Sequence, residues 1–95
     1  MNLDERYQLA DGVAIRPERF GGLVYDYHTR RLYFIHSHHL AALVAELTGA
    51  EPLGETLETF GRRHGLPQMA MERLLKSFAS LHAIGIVVNA AEAAL

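Results

Sequence analysis

The sequence contains no cysteine, which removes disulfide scaffolds, thiolate zinc sites, iron–sulfur clusters and cysteine nucleophiles from consideration. It also carries little net charge: nine Lys and Arg against eleven Asp and Glu give −2 at pH 7. A dedicated nucleic-acid binder usually shows a marked basic excess, so this balance weighs against one. Long apolar runs are missing too. The longest nearly apolar segment, Leu40 to Leu47, is interrupted by Glu46 and is far too short to cross a bilayer. The opening residues Met1 to Arg6 lack the basic-then-apolar pattern of a secretory signal, so a soluble cytoplasmic protein with no membrane attachment is expected. No phosphate loop is present, because neither Gly21-Gly22 nor Gly49 has the spacing or the trailing Lys-Ser/Thr.

What is there suits one small globular unit. Ninety-five residues, 49% hydrophobic and 21% charged, can close one hydrophobic core. Residues 1–95 therefore read as a single domain, with 1–6 and 89–95 as ends prone to fray. At this size a binding or adaptor module is a more natural expectation than an enzyme enclosing its own active site.

The first third predicts strands. Val13 and Ile15 open an alternating run that stops at Pro17, which cannot donate a ladder hydrogen bond, so a strand is expected to end or to reach an edge there. Gly21-Gly22 is a flexible joint. Leu23, Tyr25 and Tyr27 then alternate with Val24 and Asp26, the period of a half-buried strand. His28-Thr29-Arg30 reads as a hairpin loop, and Arg31 to Ile35 returns as a third strand. Tyr7 to Leu9 offers a short leading strand.

The remainder predicts helices. Ser37 is the expected N-cap of a helix whose stripe is Leu40, Leu43, Val44 and Leu47, ending at Gly49. Leu53, Leu57 and Phe60 mark a second helix closed by Gly65. Pro67 suits the first position of a third, which carries Met71, Leu74, Leu75, Phe78 and Leu81 and is stopped by Gly85. Ile86-Val87-Val88 is a brief strand or a docked tail. The fold class is thus α+β, a three-stranded antiparallel sheet followed by three helices, in the outline of a winged helix-turn-helix.

Three kinds of chemistry deserve weighing. His36, His38 and His39 place a His-x-His pair where a metal would be held, yet no acidic residue is near in sequence and the segment changes there from strand to helix. Ser37 beside His38, and Ser77 and Ser80 near His82, lack the third orienting group that hydrolysis needs. The third helix, as a DNA reader, offers only Gln68, Arg73 and Lys76 against Glu72, while Arg62-Arg63-His64 is accounted for by the macrodipole of the preceding helix. A winged-helix transcriptional regulator is the alternative this outline leaves open. Neither catalysis nor a metal is expected. What stands out instead is an apolar excess on the hairpin and the third helix. Either all of it is core, or strand and helix border a groove to which a peptide adds as an extra strand.

Val13-Ala14-Ile15-Arg16-Pro17-Glu18-Arg19-Phe20-Gly21-Gly22-Leu23-Val24-Tyr25, followed by Arg30-Arg31-Leu32-Tyr33-Phe34-Ile35, resembles the PqqD-like peptide chaperones, among them the MftB type of mycofactocin biosynthesis. The resemblance implies a recognition element for ribosomally made precursor peptides. Such an element binds the leader of the precursor and presents it to a radical-SAM maturase, performing no chemistry and needing no cofactor. It implies that the leader lies antiparallel to Leu32, Tyr33, Phe34 and Ile35, against a wall formed by Met71, Leu74, Leu75 and Phe78. Arg73 and Lys76 are placed to pair with acidic leader residues. The partners expected are peptide and maturase, not nucleic acid or membrane, with the chaperone a monomer or a homodimer.

Overall fold

A computed structural model describes residues 1–93. The elements in chain order are β1 (Tyr7–Leu9), β2 (Val13–Glu18), β3 (Gly21–Asp26), β4 (Arg31–Ile35), α1 (His38–Ala45), α2 (Leu53–His64), α3 (Gln68–Ala83), β5 (Val87–Asn89) and α4 (Ala90–Ala93). The class is α+β, as expected. β2, β3 and β4 form the antiparallel meander, whereas β1 pairs with β5 in a separate two-stranded sheet, Tyr7 opposite Asn89 and Leu9 opposite Val87. That pairing ties the two ends of the chain together. The Leu53 N–H donates to the Glu5 carbonyl at 2.8 Å, and the Ala90 N–H to that of Arg6 at 2.8 Å. Of the Ala-rich end, Asn89 closes β5 and Ala90–Ala93 forms α4; residues 94 and 95 lie outside the described residues.

Local chemistry explains the boundaries, including those that differ from expectation. β2 does not stop at Pro17 but runs through it to Glu18. The Tyr27 N–H donates to the Gly12 carbonyl at 2.8 Å, and this fixes the phase of the ladder. Ala14–Tyr25 and Arg16–Leu23 are hydrogen-bonded pairs, and Pro17–Gly22 is the non-hydrogen-bonded pair that comes next after Arg16–Leu23. The Pro17 nitrogen therefore faces off the sheet, where a missing donor costs no ladder bond. Tyr27, which the alternation puts in a strand, begins the β3–β4 loop instead. The Asp26 carboxylate accepts the N–H groups of His28 (2.9 Å) and Thr29 (3.3 Å), and Arg30 takes a left-handed φ of 62°.

Ser37 caps α1 as expected, its hydroxyl oxygen accepting the Leu40 N–H at 3.1 Å. The helix ends at Ala45, short of Gly49, whose φ of 77° serves the following loop where it passes over Gln8. Gly65 (φ 62°) closes α2 and Gly85 (φ 84°) follows α3, both in left-handed backbone. Pro67 holds an extended ψ of 165° and sits one residue before α3, so Gln68 takes the first helical position.

The core lies between the inner face of the meander, α1, α2, α3 and the β1–β5 pair. Val24 and Ile35 enter it from the meander, Leu43 and Val44 from α1, Leu53 and Phe60 from α2, Phe78 from α3 and Val87 from β5. Each fully buried Phe side chain contributes on the order of 2–3 kcal/mol through removal from water. The Tyr7 ring meets Phe78 edge-on at 5.8 Å, which seats β1 on α3.

Candidate functional site

The two edges of the meander are not equivalent. At β2 the outward-facing backbone positions are Val13, Ile15 and Pro17. The Val13 N–H is already bonded to the Ala10 carbonyl at 3.1 Å, and Pro17 has none to give. That edge offers one donor, Ile15, and is blunted in the manner of native sheets. At β4 the same phase turns Arg31, Tyr33 and Ile35 towards β3, so Leu32 and Phe34 direct their N–H and C=O groups away from the sheet. Among the described residues no backbone partner meets these groups, because the terminal strands that might have covered them pair with each other. β4 is an open edge.

Side chains alternate on the same strand. Tyr33 and Ile35 turn inward to the core, while Leu32 (52% exposed) and Phe34 (60% exposed) stand on the outer face. Sequence reasoning did not single out their companions there as site residues. Leu23 lies opposite Phe34 and Tyr25 opposite Leu32, and the Phe20 ring sits 5.7 Å from Phe34 and 5.3 Å from His36. The available signal was that Leu23 and Tyr25 share one phase of the β3 alternation. Pairing register, which a single sequence does not display, sets them beside Leu32 and Phe34.

The third-helix residues named from the sequence are divided among several surroundings. Arg73 and Leu74 line a hollow of about 200 Å³ with Ala70, Ser77 and, from the stretch just past β4, Ser37 and His39. No β4 residue lines it; Ser37, two residues past Ile35, is its nearest lining residue to that strand in sequence. Leu75 and Lys76 lie elsewhere on the helix, lining a hollow of about 350 Å³ with Met1 and Leu3. Met71 is packed over α2, where a Cβ on Gly61 would fall 2.8 Å from its sulfur. Phe78 is wholly buried.

The alternative chemistries find little geometry. His38, His39 and His64 do meet around a hollow of about 420 Å³ between β2 and α1, with Glu18 on its rim. Among the described residues, however, no three His, Asp or Glu side chains are grouped to hold a metal. Ser37 is occupied as a helix cap, the Ser80 hydroxyl donates to the Lys76 carbonyl at 3.3 Å, and the His82 ring packs on Tyr7. Of the basic cluster on α2, Arg62 pairs with Glu58 at 3.8 Å and Arg63 with Glu46. The Asp26 carboxyl shows a shifted pKa. Desolvation raises it, but the N–H groups of Thr29 and His28, the Thr29 hydroxyl and the His28 charge outweigh this and hold it below its usual 3.8.

The model of the peptide chaperone MftB family matches residues 6–88, from just before β1 into β5. The chain belongs to the MftB peptide chaperone family. No curated protein and no solved structure gives a match. The role that membership carries is that of a peptide chaperone. The match takes in the meander and α3, so both the open edge and the hollow at Arg73 and Leu74 lie within the family-defining part of the chain.

Proposed function

We propose that this chaperone captures the leader of a ribosomally made precursor peptide as a fourth strand on β4 and holds it for a radical-SAM maturase. In this reading the meander and α1–α3 form a winged helix-turn-helix used for peptide rather than DNA. The supporting observation is the unpaired β4 edge, with the hollow at Arg73 and Leu74 reached through Ser37, two residues past the strand. Leu32 and Phe34 present two donors and two acceptors, worth about 2–6 kcal/mol net for four bonds. Micromolar affinity needs roughly 8 kcal/mol, so apolar contacts supply the remainder. Arg73, exposed at that hollow, would meet an acidic leader residue, and Lys76, exposed on the neighbouring hollow with Met1 and Leu3, would do so only for a leader that crosses α3. Tethering raises the local concentration of the peptide core at the maturase, so the benefit is proximity and not bond chemistry.

Titration of ¹⁵N-labelled chaperone with the synthetic leader tests this. Amides of Leu32 to Ile35 and of Arg73 to Ser77 should shift together. Shifts confined to β2, α2 or the β1–β5 pair would refute the placement.

A further inference from the structure

We infer that the outer face of the meander is the surface on which the peptide-modifying enzyme docks, and that a bound leader completes that surface. The inference rests on the strand-addition reading above, which occupies the β4 edge and leaves the outer face free. The inner face of the sheet is covered by α1 and the core, whereas among the described residues the outer face leaves Leu32 and Phe34 exposed. Leu32, Phe34 and Tyr27 are more than half exposed there, and Phe20 more than a third. Leu23 and Tyr25 lie across from Phe34 and Leu32 in the same layer. A contiguous patch so rich in Tyr and Phe has the composition of an interface centre rather than of ordinary surface.

The rim identifies the occupant. Arg19 stands at one end of β3 and Arg30 at the other, both exposed and without an ion pair among the described residues. Of the three acids of this region, Glu18 pairs with Arg16 at 2.7 Å, Asp26 accepts its loop N–H groups, and Asp11 lies 3.4 Å from the His28 ring. The meander with its loops thus carries four arginines, Arg16, Arg19, Arg30 and Arg31, against three carboxylates, a small basic excess on a chain whose net charge is −2. Two copies meeting face to face would set arginine against arginine, which disfavours a second copy. The partner that fits is a protein presenting an apolar patch bordered by carboxylates.

The leader joins this surface through simple alternation. A strand added to β4 places every second side chain beside Leu32 and Phe34 on the outer face. An enzyme docked there touches chaperone and peptide at once, so leader and enzyme tighten each other's binding by the same factor. The inference also gives a role to the Phe20-Gly21-Gly22 segment. Gly21 has a φ of 144°, and a Cβ on it would sit 2.1 Å from the Ile35 carbonyl oxygen. Only glycine permits this turn, and the turn sets Phe20 on the patch beside Phe34.

The test uses the full chain, the synthetic leader and the purified radical-SAM partner, with variants Ala14→Glu and Arg19→Glu. Ala14 is exposed on β2, two strands from the leader edge, and Arg19 is exposed in the β2–β3 turn, so neither change should unfold the protein. Calorimetry should show leader Kd within twofold of the unaltered protein, enzyme Kd weakened at least tenfold, and enzyme binding tightened by leader in the unaltered protein. Unchanged enzyme affinity in both variants, with leader binding intact, overturns this inference alone. Failure of the unaltered protein to bind leader overturns the strand-addition reading and this inference with it. Capture of the unaltered protein, but not the variants, by phosphatidylglycerol vesicles overturns it in favour of a membrane.

Discussion

Leu32→Pro transfers to β4 the device that already blunts β2. Pro17 occupies a non-hydrogen-bonded position opposite Gly22, and Leu32 occupies the corresponding kind of position opposite Tyr25. Proline at position 32 therefore removes an outward-facing N–H without breaking a β3–β4 bond. The side chain lost is half exposed, and the restricted unfolded chain returns about 0.4–1 kcal/mol, so the fold should survive. Leader binding should not. It loses one N–H···O bond of about 1 kcal/mol and leaves a leader carbonyl desolvated without a donor, a further 1 kcal/mol or more. The sum of about 2–3 kcal/mol corresponds to roughly 30- to 150-fold in Kd. The control is Leu32→Ala, which removes the side chain and keeps the donor. Fluorescence anisotropy with a labelled leader compares the two, with circular dichroism melts as a check on folding. Equal Kd values for Leu32→Pro and Leu32→Ala would refute strand addition at this edge.

Other expectations concern the scaffold that holds the edge in place. Phe78→Ala, which removes a wholly buried ring from against Tyr7, should cost about 3–5 kcal/mol in urea unfolding; a loss under 1 kcal/mol would contradict the packing. Gly21→Ala forces a Cβ against the Ile35 carbonyl and should cost about 3 kcal/mol or more, against about 1–2 for Gly65→Ala, where only the left-handed backbone objects and nothing lies within 4 Å. Equal costs would show that the β3–β4 approach is looser than described. The Asp26 carboxyl, depressed in the folded state, should titrate by NMR with a midpoint below 3.8. Its stabilising contribution is then full above that unfolded value and lost as pH falls through the folded one; a midpoint at or above 3.8 would refute the loop geometry.

Much of this protein was legible without coordinates because the signals are local. The alternation from Leu23 to Ile35, the Ser37 cap and the glycines at 65 and 85 each act within a few residues, through pleat, hydrogen bond or left-handed backbone. The segment Arg16 to Gly22 was specific enough to carry the family resemblance, although its physical work was hidden. Which edge stays open was not legible. It depends on the phase of the β2–β3 ladder, which turns the Pro17 nitrogen outward, and on β1 and β5 choosing each other across almost the whole chain. Nor was the apportioning of the α3 stripe. Periodicity states that Met71, Leu74, Leu75 and Phe78 share a side of a helix, but not what faces them. Tertiary packing sends Phe78 to the core, Met71 over Gly61, Leu75 beside Met1 and Leu3, and Leu74 to the hollow near β4. Sequence alone determined the elements and their buried sides; only the long-range pairing of strands and the docking of α3 decided which backbone groups were left unpaired, because that choice is made between residues far apart in the chain.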